Sequence, residues 1–113
     1  MRFQVSTLFK VLGVGTLLLV FSFALQGGPK PEAVGDLFKQ KCSMCHGVDG
    51  KGYAALKTPD FTDPKVQASL TDKEIAEVIK NGKKGTAMPA FGDKLSDEQI
   101  HALVNYIRSL KQK

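Results

Sequence analysis

The segment CSMCH, residues 42–46, holds both cysteines of this 113-residue chain and one of its two histidines. A short amphipathic segment, residues 32–41, precedes it, and residues 47–70, in which glycines and prolines interrupt any periodic pattern, follow it. A loop this long without regular structure is uncommon inside a compact domain. It is expected where the chain wraps a group that is not protein, so the sequence predicts a prosthetic group next to residues 42–46.

The order Cys-x-x-Cys-His is the attachment pattern of c-type haem. Two thiols at this spacing, at the end of a helix, can both reach the vinyl groups on one edge of a porphyrin and form thioether bonds. His46 would then lie beneath the iron and supply an axial nitrogen. Covalent attachment through Cys42 and Cys45 also suits a small domain with a thin core. The motif therefore indicates one covalently bound haem c as the cofactor.

Three other interpretations of the two cysteines compete with haem. A zinc site needs four ligands, so His101 would have to join Cys42, Cys45 and His46 around the ion. A redox-active disulfide normally lies in a βαβ context, for which the sequence has no pattern. A plain structural disulfide leaves His46, the irregular stretch and Met88 without a role. Haem accounts for the cysteines, the histidine and the irregular stretch together.

A second loop, GTAMPAF at residues 85–91, holds the candidate for the sixth iron ligand. Met88 joins no helical apolar stripe, and Pro89 restrains Met88 to extended conformations, which helps to aim the thioether. Ligation of haem iron by methionine and histidine raises its reduction potential. His46 and Met88 are accordingly the predicted iron ligands, whereas His101, off the apolar stripe of its helix, is predicted to be solvated.

Apolar periodicity predicts three helices, at residues 32–41, 72–81 and 97–111. The second and third helices begin with capping boxes, at residues 71–74 and 96–99. No segment alternates between apolar and polar residues with period two, so no sheet is expected. The predicted fold class is all-α, with three main helices packed around one covalently bound haem and long irregular loops between them.

The length and composition allow one globular domain. The chain has 16 Lys and Arg against 11 Asp and Glu, a formal net charge of +5, without the concentrated basic stripe of a nucleic-acid-binding protein. Residues 1–26 have the pattern of an export signal peptide or membrane anchor, because a positively charged start precedes an uncharged apolar run, residues 11–25. We therefore expect the remainder, residues 27–113, in the periplasm, either soluble after signal cleavage or attached to the cytoplasmic membrane through residues 11–25.

Four segments together resemble the class I monohaem cytochrome c family, in its bacterial form. They stand in the family's order within about residues 32–110, as LFKQKCSMCHG at 37–47, AMPAF at 87–91, LSDEQI at 95–100 and LVNYI at 103–107. The resemblance implies the small cytochrome c fold over residues 27–113, with the first and last helices crossing near the haem. It implies that Phe38 and Tyr106 lie at that crossing. It also implies that the Pro59 carbonyl accepts a hydrogen bond from the proximal imidazole.

The family often carries a small residue four positions before this phenylalanine, where the two helices touch. In this chain that position is Val34, with Gly35 beside it. The helix crossing is therefore expected to differ in detail from that of the family.

With His46 and Met88 both on the iron, no coordination position is left for a substrate. The ligand pair and the resemblance predict a monomeric one-electron carrier, not an enzyme, that serves respiratory redox partners. Two alternatives are a haem-bearing subunit tethered to a larger respiratory complex, and a haem sensor or enzyme whose methionine ligand is displaceable. Lysines beside the haem motifs form either a basic ring that steers partners with acidic docking surfaces or a dispersed solvated set. They are Lys39, Lys41, Lys51, Lys57, Lys83, Lys84 and Lys94.

Overall fold

The structure, a computed structural model, describes residues 30–112. The signal or anchor predicted at residues 1–26 lies outside these residues. Five α-helices and one 3-10 turn follow one another, and residues 30–112 contain no strand, so the predicted all-α class is confirmed. Within the same residues no helix has both the length and the apolar character needed to cross a membrane. The elements are α1 (Pro31–Lys41), α2 (Ser43–His46), the 3-10 turn Ala54–Leu56, α3 (Pro64–Ser69), α4 (Asp72–Asn81) and α5 (Asp97–Ser109).

Both predicted capping boxes are present at the starts of α4 and α5. The Thr71 hydroxyl accepts a hydrogen bond from the Glu74 N–H at 3.2 Å, and the Glu74 carboxylate accepts one from the Thr71 N–H at 2.8 Å. Ser96 and Gln99 exchange the same two bonds at 3.2 and 2.9 Å. Each box satisfies N–H groups that the start of a helix leaves without partners. These local bonds explain why α4 and α5 begin where the sequence predicts.

The stretch predicted to be irregular contains a short helix, α3, so the prediction is wrong there. The Asp63 carboxylate caps this helix by accepting a hydrogen bond from the Lys65 N–H at 2.8 Å. Pro64 occupies the first helical position, where its missing N–H is not needed. Aspartate followed by proline is a helix-start signal, but six residues are too few to show an apolar period. Periodicity alone therefore missed this helix.

The core lies where α5 packs against α1 and α4. Phe38 of α1 and Leu103 of α5 are the most deeply buried large side chains, each with 1% exposure. Burial of one such side chain contributes about 1.5–3 kcal/mol to the free energy of folding. The packing of α1 against α5 is therefore a main source of stability. The predicted apolar stripe of α5 lies in the core, as Ile100, Leu103, Val104 and Ile107.

Helices α1 and α5 approach each other closely at Gly35. A β-carbon on Gly35 would lie 3.5 Å from Cε2 of the Tyr106 ring, an ordinary van der Waals distance, so Gly35 is the residue of α1 that faces the tyrosine. Val34 is buried in the core instead. The small residue of this helix contact is therefore Gly35, one position after the place that the family resemblance indicates.

Candidate haem site

Residues 42–46 form one tight turn directly after α1. The Cys42 N–H donates to the Phe38 carbonyl at 2.8 Å and so caps α1. The Cys42 carbonyl then accepts hydrogen bonds from the N–H groups of Cys45, at 3.2 Å, and His46, at 3.0 Å. Both cysteines are free thiols and half-buried. A single turn therefore carries two thiols and one imidazole.

Burial sets the protonation of these side chains. It raises the pKa of the Cys42 thiol to about 11, because the thiolate would be poorly solvated. It lowers the pKa of His46 from its usual 6.5, since burial also disfavours the charged imidazolium. At neutral pH Cys42 is thus a thiol and His46 a neutral imidazole, which is the form of histidine that binds metals.

The His46 ring packs against an aromatic ring and has a nitrogen without a partner. Its centroid lies 5.1 Å from that of buried Phe61, with 20° between the two planes. The buried Nδ1 of His46 has no hydrogen-bond partner among residues 30–112. The expected hydrogen bond to the carbonyl of Pro59, an exposed residue, is therefore not formed in the described part of the chain, and the role of Pro59 stays a prediction. Buried polar atoms nearly always have a hydrogen-bond partner. The unpartnered Nδ1 of His46 is therefore free to make a hydrogen bond.

The loop after His46 folds back onto the turn. The Gly52 N–H donates to the His46 carbonyl at 2.8 Å, and the Thr58 hydroxyl donates to the Cys45 carbonyl at 2.9 Å. Gly52 has a φ of +68°, and a β-carbon there would lie 2.7 Å from the Thr58 carbonyl oxygen. Only glycine fits this position, because any side chain would push the loop off the turn.

Met88 lies in a loop that is hydrogen-bonded to α4 and to itself. The Lys83 N–H donates to the Met88 carbonyl at 3.2 Å, and the Phe91 N–H donates to the Ile79 carbonyl at 2.9 Å. The Met88 N–H donates to the Thr86 hydroxyl at 3.2 Å. The Met88 side chain itself is half-buried and packs against the core. Hydrogen bonds therefore hold the loop backbone on both sides of Met88.

Phe38 and Tyr106 meet at the contact between α1 and α5. Their ring centroids are 5.1 Å apart, and the ring planes are tilted by 46°. Phe38 is fully buried, whereas Tyr106 is half-buried at the edge of the core. The structure thus places the two aromatic residues together, as the family resemblance implies.

Most of the predicted site residues lie in or beside one apolar cluster, of which Phe38 is a member. Cys42, Met88 and Tyr106 pack against it, and His46 reaches it through Phe61. The set offers two thiols, one neutral imidazole and one thioether sulfur. These donors fit haem c, because two thiols can anchor the edge of the ring while a nitrogen and a soft sulfur ligate its iron.

A four-ligand zinc site is not assembled in the described residues. Residues 30–112 contain no group of three or more His, Cys, Asp or Glu side chains placed to hold a metal ion. His101, which zinc would need as a fourth ligand, is exposed and lines a cleft between α4 and α5 with Lys80 and Asp97. None of the residues 42–46 lines that cleft. The donor geometry therefore favours haem over zinc.

Phe61 and Thr58 belong to the site but are absent from the sequence-based prediction. Both lie in the irregular stretch, where no period marks a residue as buried. Phe61 is a large aromatic residue among mostly small and polar neighbours, and this contrast is the one signal that could have identified it. Thr58 carries no such signal, because its hydrogen bond to Cys45 depends on how the loop folds.

The comparison with known families and proteins agrees with this geometry. The family model described as "Cytochrome C oxidase, cbb3-type, subunit III" matches residues 29–107. The cbb3-type cytochrome c oxidase subunit CcoP of Rubrivivax gelatinosus is 39% identical over 95 residues, which are 81% of this chain and 31% of that protein. Cytochrome c6 of Pyropia yezoensis is 30% identical over 116 residues, which are 100% of this chain and 98% of that protein. The chain thus spans about a third of the oxidase subunit and nearly the whole of the cytochrome c6.

The fold is also similar to a solved structure. The protein named KustC0563 c-type cytochrome matches with a TM-score of 0.64 and 36% sequence identity, over 69% of this chain and 96% of that chain. The match therefore covers nearly a whole c-type cytochrome. From the family model, the relatives and the all-α fold, the chain belongs to the class I monohaem cytochrome c family, and within it to the family described as cytochrome c oxidase, cbb3-type, subunit III.

Proposed function

We propose that this protein is a one-electron carrier that holds one haem c, bound covalently through Cys42 and Cys45 and ligated by His46 and Met88. The observation that carries the proposal is the turn after α1, which holds two free thiols and a half-buried imidazole, and whose Cys42 packs against the same apolar cluster as Met88. When bound there, the haem supplies reversible one-electron exchange between ferric and ferrous iron.

The chain's own part is to hold two side chains in place. Phe61 packs on one face of the His46 ring, and hydrogen bonds from the loop to α4 define the backbone around Met88. If both side chains occupy axial positions, a substrate has no access to the iron. This arrangement supports electron transfer and not catalysis on a bound substrate.

Covalent attachment is tested by the intact mass of protein matured in a host that attaches haem c. We expect the wild-type protein to carry the mass of one haem and the double variant Cys42→Ala/Cys45→Ala to carry none. Met44→Ala is the matched control, because Met44 lies between the two cysteines with 87% of its side chain exposed. Wild-type protein at the mass of the bare polypeptide would overturn the proposal.

Exposed lysines support a proposal about redox partners. All seven lysines beside the haem motifs are exposed, so their charges are available to attract partners with acidic docking surfaces. We expect electron transfer to an acidic partner to slow as salt rises, because salt screens charges on the scale of about 10 Å at 0.1 M. Lys83→Glu should slow the transfer, and Lys73→Glu, on the first turn of α4, is the control. Equal effects of the two variants, or no effect of salt, would contradict steering.

A second candidate function is a haem-bearing subunit tethered to a larger respiratory complex. The matching family model is described as a subunit of cbb3-type oxidase, and the matched part is 31% of the CcoP subunit. In either case we propose a periplasmic location, with residues 11–25 as signal or anchor. Cell fractionation and sequencing of the mature N-terminus decide between the two. A soluble protein whose N-terminal signal has been removed supports the free carrier, and membrane-bound protein with the intact start supports the tethered subunit.

A further inference from the structure

Gln67 of α3 is a buried polar residue whose carboxamide is fully hydrogen-bonded. It is 5% exposed. Its Nε2 donates to the carbonyl of Phe61 at 2.6 Å and to the carbonyl of Ile107 in α5 at 2.7 Å. Its Oε1 accepts a hydrogen bond from the Arg108 guanidinium at 2.9 Å. Replacing the carboxamide by an apolar group would leave the Phe61 carbonyl without this partner, so the carboxamide fixes the segments that it joins.

Arg108 holds the same region from α5. Its guanidinium donates to the main-chain carbonyls of Gln67, at 2.6 Å, and Leu70, and to the Asp72 carboxylate at 2.7 Å. The arginine therefore ties the second half of α3 and the start of α4 to the last helix. Gln67 cannot move relative to α5 without breaking several charge-assisted bonds.

This network ends at the residue that packs on His46. The Phe61 carbonyl is held by Gln67, and the Phe61 N–H donates to the Gly50 carbonyl at 2.8 Å. The Phe61 ring, now fixed at both main-chain groups, stacks on the His46 ring at 5.1 Å. The stacked Phe61 ring therefore limits rotation of the His46 imidazole.

We propose that Gln67 is a positioning residue for the axial histidine, because it fixes Phe61, and the Phe61 ring sets the plane of the His46 imidazole. This inference rests on the proposed function, since it takes His46 as an iron ligand. The Gln67 side chain makes no hydrogen bond to His46 among the described residues and acts only through Phe61.

The test is electron paramagnetic resonance of the oxidised, haem-loaded protein. The g values of low-spin ferric haem depend on the orientation of its axial ligands. We expect Gln67→Leu, which removes the hydrogen bonds, and Phe61→Leu, which keeps them but removes the ring, to shift the g values. Ser96→Ala is the control, because it removes the cap of α5 and so lowers stability without touching Phe61 or the hydrogen-bond partners of Gln67 and Arg108. Its g values should equal those of the wild type.

Three outcomes separate this inference from the proposed function. If Gln67→Leu loads haem and keeps wild-type g values, the inference is wrong and the proposed function stands. If Gln67→Leu fails to fold, Phe61→Leu decides alone, and wild-type g values in that variant overturn the inference. A wild-type protein without a low-spin ferric signal would overturn the proposed function and this inference with it.

Discussion

Gly82 ends α4 at a backbone conformation that connects the helix to the Met88 loop. Its φ is 74° and its ψ is 179°, a region that is almost restricted to glycine. A β-carbon there would lie 2.9 Å from the Met88 carbonyl oxygen and 3.0 Å from the Ala90 nitrogen. Both neighbours are backbone atoms, which cannot rotate away as a side chain could. We therefore expect Gly82→Ala to displace the loop that carries Met88.

The expected loss of stability can be worked out with a matched control. The conformational strain of alanine at Gly82 costs about 1–3 kcal/mol, and forcing the loop backbone aside adds about 1–3 kcal/mol. Gly85, in the same loop, has a φ of 75°, but a β-carbon there would meet no atom within 4 Å. Gly85→Ala should therefore cost only about 1–2 kcal/mol of left-handed strain, and in both variants a stiffer unfolded chain offsets about 0.4–1 kcal/mol.

Urea denaturation measures the loss of stability, and carbon monoxide binding measures how firmly the loop holds Met88. Gly82→Ala should lose about 2 kcal/mol more than Gly85→Ala, which is the contact contribution. Reduced, haem-loaded Gly82→Ala should also bind carbon monoxide faster, because a displaced loop holds the Met88 sulfur less firmly. Equal stability losses in the two variants would refute the reasoning about the contact with Met88. Unchanged carbon monoxide binding in Gly82→Ala would refute the link to the ligand.

Three further predictions concern the scaffold. Phe38→Ala should lower the free energy of unfolding by about 3–5 kcal/mol in urea titrations, because this ring is 1% exposed; a loss below about 1 kcal/mol would contradict its central place in the core. Ser96→Ala should cost about 1 kcal/mol in thermal unfolding, as expected for a lost cap, whereas no change would show that the capping box does not stabilise α5. Hydrogen bonds from Thr62 lower the pKa of Asp60. Ionised Asp60 therefore stabilises the protein above about pH 4, and this contribution is lost as the pH falls through the pKa of Asp60 in the folded protein. Asp60→Asn should flatten the acid side of the stability curve, and an unchanged slope would exclude this contribution.

The parts of the fold that could be predicted depend on interactions within a few residues. Helices α4 and α5 begin at capping boxes that span four positions, and their apolar stripes repeat within two turns, so local sequence was sufficient. Helix α3 is different, because the hydrogen bond that holds it joins its own Gln67 to Arg108, 41 residues later in the sequence. No local sequence pattern indicates such a contact. The start signal of α3, Asp63 followed by Pro64, is too weak to predict the helix by itself.

The same distinction applies to the site. The spacing of Cys42, Cys45 and His46 is local, and the structure places all three on one turn. Phe61 reaches His46 only because the loop after His46, with its positive-φ glycines, folds back onto the turn. The spacing of residues in the sequence cannot show this contact. Gly35, and not its neighbour, meets Tyr106, because the rotation of α1 relative to α5 is set by packing of the whole core.

The central claim, a haem c with one histidine and one methionine ligand, is tested most directly by absorption spectra of the oxidised and reduced protein. We expect sharp low-spin haem c bands on reduction and the weak red sulfur-to-iron band on oxidation. Met88→Ala should retain the haem but lose the red band. A high-spin wild-type spectrum would contradict Met88 as a ligand and favour a sensor or enzyme with an open position. Protein matured without any haem would contradict the account of Cys42, Cys45 and His46 altogether.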